Sequence, residues 1–160
     1  MDDGSLVRAP VRDSEQRKIV WRCDRGCLTG DSILKEPLYQ VKIVCDFAAA
    51  HHLRNFRGKC EGLHGHNWMV EVVLRGRRLN DAGVLVDFGE VKRETRAVLS
   101  EIDHSYLNDL PFFREMNPSS ENIARFLFER LSEKLNGEDC WLYSVSAWES
   151  ADACATFISE

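Results

Sequence analysis

His64, His66, Trp68, Val70, Val72 and Leu74 recur at every second position, with Asn67 and Glu71 on the opposite parity. That alternation, rich in β-branched residues, predicts a strand, and on a strand residues i and i+2 project from the same face. One face is therefore apolar along most of its length and ends in two imidazoles. Gly65 between them contributes no side chain, so His64 and His66 can each give a nitrogen to one cation. The chain has five histidines. Four fall between His51 and His66, and the fifth, His104, follows an aspartate. Packing does not explain that concentration, and histidine is the commonest protein metal ligand.

His51 arrives from the end of an earlier segment and is the candidate third donor. Spacing alone leaves its neighbour His52 open, although adjacent residues seldom both reach one metal. Three imidazoles leave a fourth tetrahedral position free, the arrangement of a catalytic zinc. Cys60 precedes His64 by four positions and admits two readings. It could be the fourth ligand of a closed structural site. It could instead be a thiolate beside the cation, acting as base or nucleophile, with Arg57 and Lys59 adding positive charge.

A chain of 160 residues, 44% apolar, predicts one domain with a real core. No apolar run reaches the length of a membrane span. The start, Met1-Asp2-Asp3-Gly4, lacks a signal pattern, so the expected location is the cytoplasm. There the six cysteines are thiols or ligands rather than disulfides. The net charge of −5 argues against general nucleic-acid binding. Residues 1–37 show no sustained period and read as a flexible extension, with a short ordered piece at Ile19-Val20-Trp21. Cys23 and Cys27 have no second pair nearby and are read as non-functional. The remainder, 38–160, reads as the catalytic domain.

Within it, Tyr39, Val41, Ile43, Cys45 and Phe47 alternate as a first strand, with Cys45 a structural thiol on the apolar side. Leu53 to Gly62 reads as a loop whose Arg54, Arg57 and Lys59 are either solvated or phosphate contacts. Arg75-Gly76-Arg77-Arg78 reads as the solvated far turn of the hairpin. Asp87 caps a helix with the stripe Phe88, Val91, Val98, Leu99 and Ile102. Ser119 or Ser120 caps a second, with Ile123, Leu127, Leu131 and Leu135 on one face and Asn136-Gly137 as its stop. Trp141 to Trp148 and a short Thr156-Phe157-Ile158 segment read as the last strands. Strand, strand, helix, helix, strand, strand predicts an α+β domain: an antiparallel four-stranded sheet with two helices on one face. Its open edges invite association.

Five ordered motifs carry a resemblance. They are Ala49-Ala50-His51 followed by Gly58-Lys59-Cys60-x-x-Leu63-His64-Gly65-His66-Asn67; Val86-Asp87-Phe88-Gly89-Glu90; Ile102-Asp103-His104-Ser105-Tyr106-Leu107-Asn108; Asn117-Pro118-Ser119-Ser120-Glu121-Asn122; and Trp148-Glu149-Ser150. Together they resemble the 6-pyruvoyl-tetrahydropterin synthase family over about residues 39 to 158. The resemblance implies the tunnelling fold, in which trimers close a β-barrel and two trimers stack as a hexamer. It implies dihydroneopterin triphosphate as substrate and Zn2+ on His51, His64 and His66. Cys60 would be the catalytic base, and Asp103 and His104 a proton relay. Glu149 would anchor the pterin, with Ser119 and Ser120 at pterin-contacting positions. The Cys60-to-His66 spacing with Lys59 resembles the branch that also releases acetaldehyde and forms 6-carboxy-tetrahydropterin, for queuosine and other 7-deazapurines. Three alternatives remain: triphosphate elimination alone, a non-catalytic zinc-stabilised module with Cys60 as fourth ligand, and aldol cleavage of a dihydroneopterin.

Overall fold

The computed structural model describes residues 37–159. The segment read as an extension, with Ile19-Val20-Trp21, Cys23 and Cys27, lies outside the described residues except for Pro37.

Two long strands form the spine. β1 (Tyr39–His51) and β2 (His64–Gly76) pair antiparallel without interruption, from Tyr39 opposite Gly76 to His51 opposite His64. The alternation does the sorting: Ile43, Cys45, Phe47 and Ala49 are buried on β1, and Trp68, Val70, Val72 and Leu74 on β2. The hairpin connection is therefore 52–63, at the histidine end. Arg75 and Gly76 are not a far turn. They are the last residues of β2, paired with both neighbouring strands. A Cβ on Gly76 would stand 2.2 Å from the Asp139 carbonyl oxygen and 2.5 Å from Leu85 Cδ1. Only glycine fits that crossing.

α1 (Phe88–Leu99) begins at Asp87, whose side chain accepts from Gly89 N. It buries Val91, Thr95, Val98 and Leu99. Phe88, expected in the stripe, is 54% exposed. Helical side chains lean back over the preceding turn, and at the first helical position that carries Phe88 past the packed surface. Ile102 is buried as expected, but from the turn after the helix rather than from the helix itself.

The chain then reverses at His104, in the left-handed region with φ 52°. Asp103 Oδ1 accepts from Ala48 N at 2.9 Å, and His104 N donates to Ala48 O at 2.6 Å. Ser105 and Tyr106 are thereby laid parallel to Ala49 and Ala50 as β3 (Ser105–Tyr106). This adds a fifth, mixed strand to the four antiparallel ones expected. Two residues show no periodicity, so only the Asp103 anchor reveals it.

α2 (Ser120–Leu135) follows Ser119, whose hydroxyl accepts from Asn122 N. It buries Ile123, Ala124, Phe126, Leu127, Phe128 and Leu131. Each such large side chain contributes about 1.5–3 kcal/mol. β4 (Cys140–Ser150) and β5 (Ala153–Ile158) complete the sheet order β3-β1-β2-β4-β5. Both helices pack with the buried side chains of one face into a single core.

Two irregularities shape β4: one at Tyr143, and one at Glu149, which lies between Trp148 paired with Cys154 and Ser150 paired with Ala153. Leu74 pairs with Leu142 but Val73 pairs with Ser144, so Tyr143 is an extra residue in β4. A bulge of this kind shifts which parity faces the core. Before it, even-numbered Leu142 is buried; beyond it, odd-numbered Val145 and Ala147 are. Arg75 stacks over the Tyr143 ring at 3.2 Å and is held by Gln40.

Candidate metal centre

The buried face of three strands runs out, at one end of the sheet, into polar side chains. β1 contributes His51 as its last residue, β2 contributes His64 and His66 as its first, and β4 contributes Glu149. Their ligand atoms all lie within 4.8 Å of one another. The strand register explains the convergence. His51 is directly opposite His64 and diagonal to His66, and such cross-strand pairs on one face bring side chains into contact. Ring centroids are 4.5 Å apart for His51–His64, 5.3 Å for His51–His66 and 4.9 Å for His64–His66.

The outer nitrogens are committed. His51 Nδ1 donates to Pro118 O at 2.7 Å, and His64 Nδ1 donates to Gly62 O at 2.7 Å. A carbonyl can only accept, so the proton sits on Nδ1 in each ring. Nε2 is left facing the centre, the usual outer support of a metal-binding histidine. Nε2 of His51 and His64 are buried without a hydrogen-bond partner, and Nε2 of His66 is buried 3.1 Å from Glu149 Oε1. His51 is 1% exposed. Burial, above all, holds its pKa below the ordinary histidine value, and His64 and His66 push it further down against the Pro118 hydrogen bond. It is thus a neutral donor. Three ring nitrogens and a carboxylate whose ligand atoms lie within 4.8 Å of one another form a group that could hold a metal ion. Zinc accepts this donor set.

The environment fits a charged centre. The indole of Trp68 lies 5.2 Å from His51 and 5.4 Å from His66, walling off the core side. Ser119 caps the N-terminus of α2, and Ser120 Oγ donates to Glu149 Oε2 at 3.2 Å. Helix N-termini favour negative charge, so the carboxylate is held where the helix dipole supports it.

His52 is settled by its partners. Its Nδ1 shares a hydrogen bond with the Tyr106 hydroxyl, and the rings stack at 5.9 Å. It is turned away from the centre. Cys60 lies in a short turn, Lys59–Glu61, and its thiol is free and half-buried. It is not among the residues that converge. The converging group is thus three histidines and Glu149, without Cys60. The sequence marked Glu149 only as a substrate contact, because β4 is irregular at Tyr143 and again at Glu149.

Asp103 and His104 form a pair, Oδ1 to Nδ1 at 2.9 Å, with the side chains 38% and 82% exposed. The Ala48 amide, foremost, and then His104 hold the Asp103 carboxyl below the usual carboxylate range. Arg54, a candidate phosphate contact, is occupied: its Nη2 donates to Phe113 O at 2.6 Å and Met116 O at 2.5 Å. Away from the site, a cleft of about 450 Å³ lies between the end of α1, Phe112, Phe113 and α2. Among the described residues no helix is long and apolar enough to cross a membrane.

The family model for 6-pyruvoyl tetrahydropterin synthase matches residues 40–160. The structure of the Caenorhabditis elegans 6-pyruvoyl tetrahydropterin synthase superposes with a TM-score of 0.70 at 31% identity, covering 78% of this chain and 97% of that one. A Synechocystis 6-carboxy-5,6,7,8-tetrahydropterin synthase is 34% identical over 119 residues, 71% of this chain and 88% of the relative. A Pyrococcus furiosus dihydroneopterin monophosphate aldolase is 37% identical over 103 residues, 64% of this chain and 82% of the relative.

Proposed function

The chain belongs to the 6-pyruvoyl tetrahydropterin synthase family, and from that premise we propose that it is a zinc-dependent lyase converting 7,8-dihydroneopterin triphosphate to 6-carboxy-5,6,7,8-tetrahydropterin, acetaldehyde and triphosphate. The observation that carries the reading is the convergence of His51, His64, His66 and Glu149, with the Nε2 atoms of His51 and His64 buried and without a hydrogen-bond partner. When bound there, zinc supplies Lewis-acid polarisation of the substrate's side-chain oxygens.

The protein's own groups supply binding and proton handling. Glu149 can accept two parallel hydrogen bonds from the guanidine-like edge of the pterin, as a carboxylate does from arginine. Its bond from Ser120 and the nearby Ser119 cap favour that use. Cys60 takes a proton from the substrate side chain. Asp103, kept anionic by the Ala48 amide, orients His104 and stabilises its charged form while His104 carries a proton to or from the same side chain.

In a single chain His104 is 82% exposed, whereas proton transfer of this kind is protected from water. We place the completed site between subunits of a trimer that closes a barrel and stacks as a hexamer. The open edge of β5 and the exposed Val44, Met69 and Ile158 favour such association. A cytoplasmic role in 7-deazapurine synthesis, including queuosine, follows from the same reading.

The Pyrococcus relative favours aldol cleavage as a second reading, and the Caenorhabditis relative favours elimination without carbon loss. Product analysis separates them. Zinc-loaded, reduced protein is incubated with dihydroneopterin triphosphate, and products are identified by mass spectrometry with an acetaldehyde assay. Acetaldehyde with the 6-carboxy product supports the proposal. A pyruvoyl pterin without acetaldehyde, or a hydroxymethyl pterin with glycolaldehyde-type fragments, replaces it with the corresponding alternative. No turnover by folded, metal-bearing protein rejects all three for this substrate.

A further inference from the structure

His51 is the last residue of β1, and strand ends fray. Yet it must hold its Nε2 in register with two nitrogens on β2. The chain beyond it leaves the sheet, so the backbone groups of residues 52–54 lose their ladder partners, which folded chains do not leave unpaired.

Two asparagines take over. Asn108 Oδ1 accepts from His52 N at 2.9 Å, and Asn108 Nδ2 donates to His52 O at 3.0 Å. Asn117 repeats the arrangement two residues along: its Oδ1 accepts from Arg54 N at 2.8 Å and its Nδ2 donates to Arg54 O at 2.9 Å. A side-chain amide presents an acceptor and a donor side by side, as the backbone of a neighbouring strand does. Used at alternate residues, the two amides imitate that strand. They continue β1 past His51 without lengthening the sheet.

The clamps are themselves anchored. Asn108 is 6% exposed and lies in the turn that follows β3. Asn117 O accepts from Asn122 Nδ2 in the first turn of α2 at 2.8 Å. Pro118, next to Asn117, accepts from His51 Nδ1. The connector 107–118 thus grips both the ligand's ring and the backbone behind it. Arg54 reinforces the grip through its bonds to Phe113 O and Met116 O.

We propose that Asn108 and Asn117 are positioning residues of the metal centre: paired amide clamps that fix the backbone leaving His51 and thereby set its Nε2 for the cation. The proposal rests on reading the three-histidine group as a metal site. Groups that orient a ligand commonly change metal affinity by about 10–100-fold when removed.

The test uses Asn108→Asp and Asn117→Asp in the full chain. Each keeps an oxygen for the N–H it accepts but loses the donor to the carbonyl. Val98→Ala, a core change outside the centre, serves as the stability control. Zinc affinity is measured by competition with a chromogenic chelator, and the visible spectrum of the cobalt(II)-loaded protein reports ligand geometry. The expected result is a loss of zinc affinity of about 10–100-fold in each clamp variant, with an altered cobalt spectrum. Val98→Ala lowers Tm and leaves both metal readouts at wild type. Clamp variants that bind zinc and cobalt as the wild type does overturn the proposal while leaving the metal site standing. A wild-type protein that binds neither ion overturns the metal reading and the proposal together. If a clamp variant is too unstable to purify, the other decides, since either clamp alone is predicted to reach His51.

Discussion

The candidate metal corner and the Asp103–His104 pair hang from the same strand, at His51 and Ala48 of β1, yet they are built in opposite ways. His51 closes the buried face of β1 and is 1% exposed. Its two partners come from β2, its carbonyl anchor from the turn before α2, and Glu149 from β4. Asp103 and His104 instead touch β1 only through the Ala48 backbone, and the His104 side chain is 82% exposed. A ligand set needs donors fixed to within a fraction of an ångström, so it is embedded where three strands and a helix terminus meet. The His104 side chain instead stands on a left-handed turn at the sheet edge, with φ 52°. The single chain thus contains an enclosed candidate metal corner and an open Asp103–His104 pair, the one proposed above as the proton relay.

The sharpest way to break that contrast is to remove one member of each. His64→Ala deletes a ligand whose loss leaves little cavity, because its side chain is only half-buried. Zinc affinity is expected to fall by more than about 100-fold, read by chelator competition, with secondary structure retained by circular dichroism. His104→Asn should do the reverse. Asparagine tolerates the left-handed backbone but cannot carry a proton. Turnover is expected to drop by roughly 10²–10⁴-fold, with zinc content at wild type. If His104→Asn also loses zinc, the two regions are one unit and the comparison fails.

The two regions were also unequally legible. The histidine corner was visible because strand periodicity is a local property: parity alone put His64, His66 and Trp68 on one face, and His51 fell on the matching parity of β1. Glu149 was visible as a motif but not as a member of that face, because β4 is irregular at two places, Tyr143 and Glu149 itself, and periodicity cannot be carried across either. β3 was invisible, since two residues have no period; the cause is an aspartate that pairs with a backbone amide 55 residues away. Phe88 misled because its place in the helical stripe is right while its place at the first turn is wrong. Arg54 has Nη2 bound to two carbonyls, a structural task that its sequence neighbourhood does not reveal.

A smaller effect sharpens the difference through pH. Burial depresses the pKa of His51 in the folded chain, while the unfolded chain titrates near the ordinary value of about 6.5. Above that value both states are neutral and this contribution is complete. As pH falls below it, the unfolded state takes up a proton that the folded state refuses, so stability declines until the folded pKa is reached. Metal-free protein should therefore lose Tm progressively below about pH 6.5, and zinc should oppose the loss, because binding needs the same neutral ring. The exposed Asp103 has the opposite reference point: its depressed carboxylate contributes at neutral pH and is lost only under much stronger acid. A melting series from pH 8 to 3, with and without zinc, separates the two. A zinc-sensitive decline that begins only near pH 4 would assign the first step to carboxylates rather than to the buried imidazole.

The smallest expected effect concerns a carboxylate outside both regions. Asp87 has one visible task, accepting from Gly89 N at 2.7 Å at the start of α1. Asp87→Ala should cost about 1 kcal/mol, the usual value of an N-cap, seen as a lowered denaturation midpoint with unchanged steepness. Zinc affinity and turnover per folded molecule should not move, since α1 contributes no donor to the corner and its far end, not its cap, leads to Asp103. A fall in turnover without a fall in stability would make Asp87 a third acid and extend the working surface well beyond the sheet edge. Equal stability loss with intact turnover would confine the chemistry to the end of the sheet where β1, β2 and β4 converge.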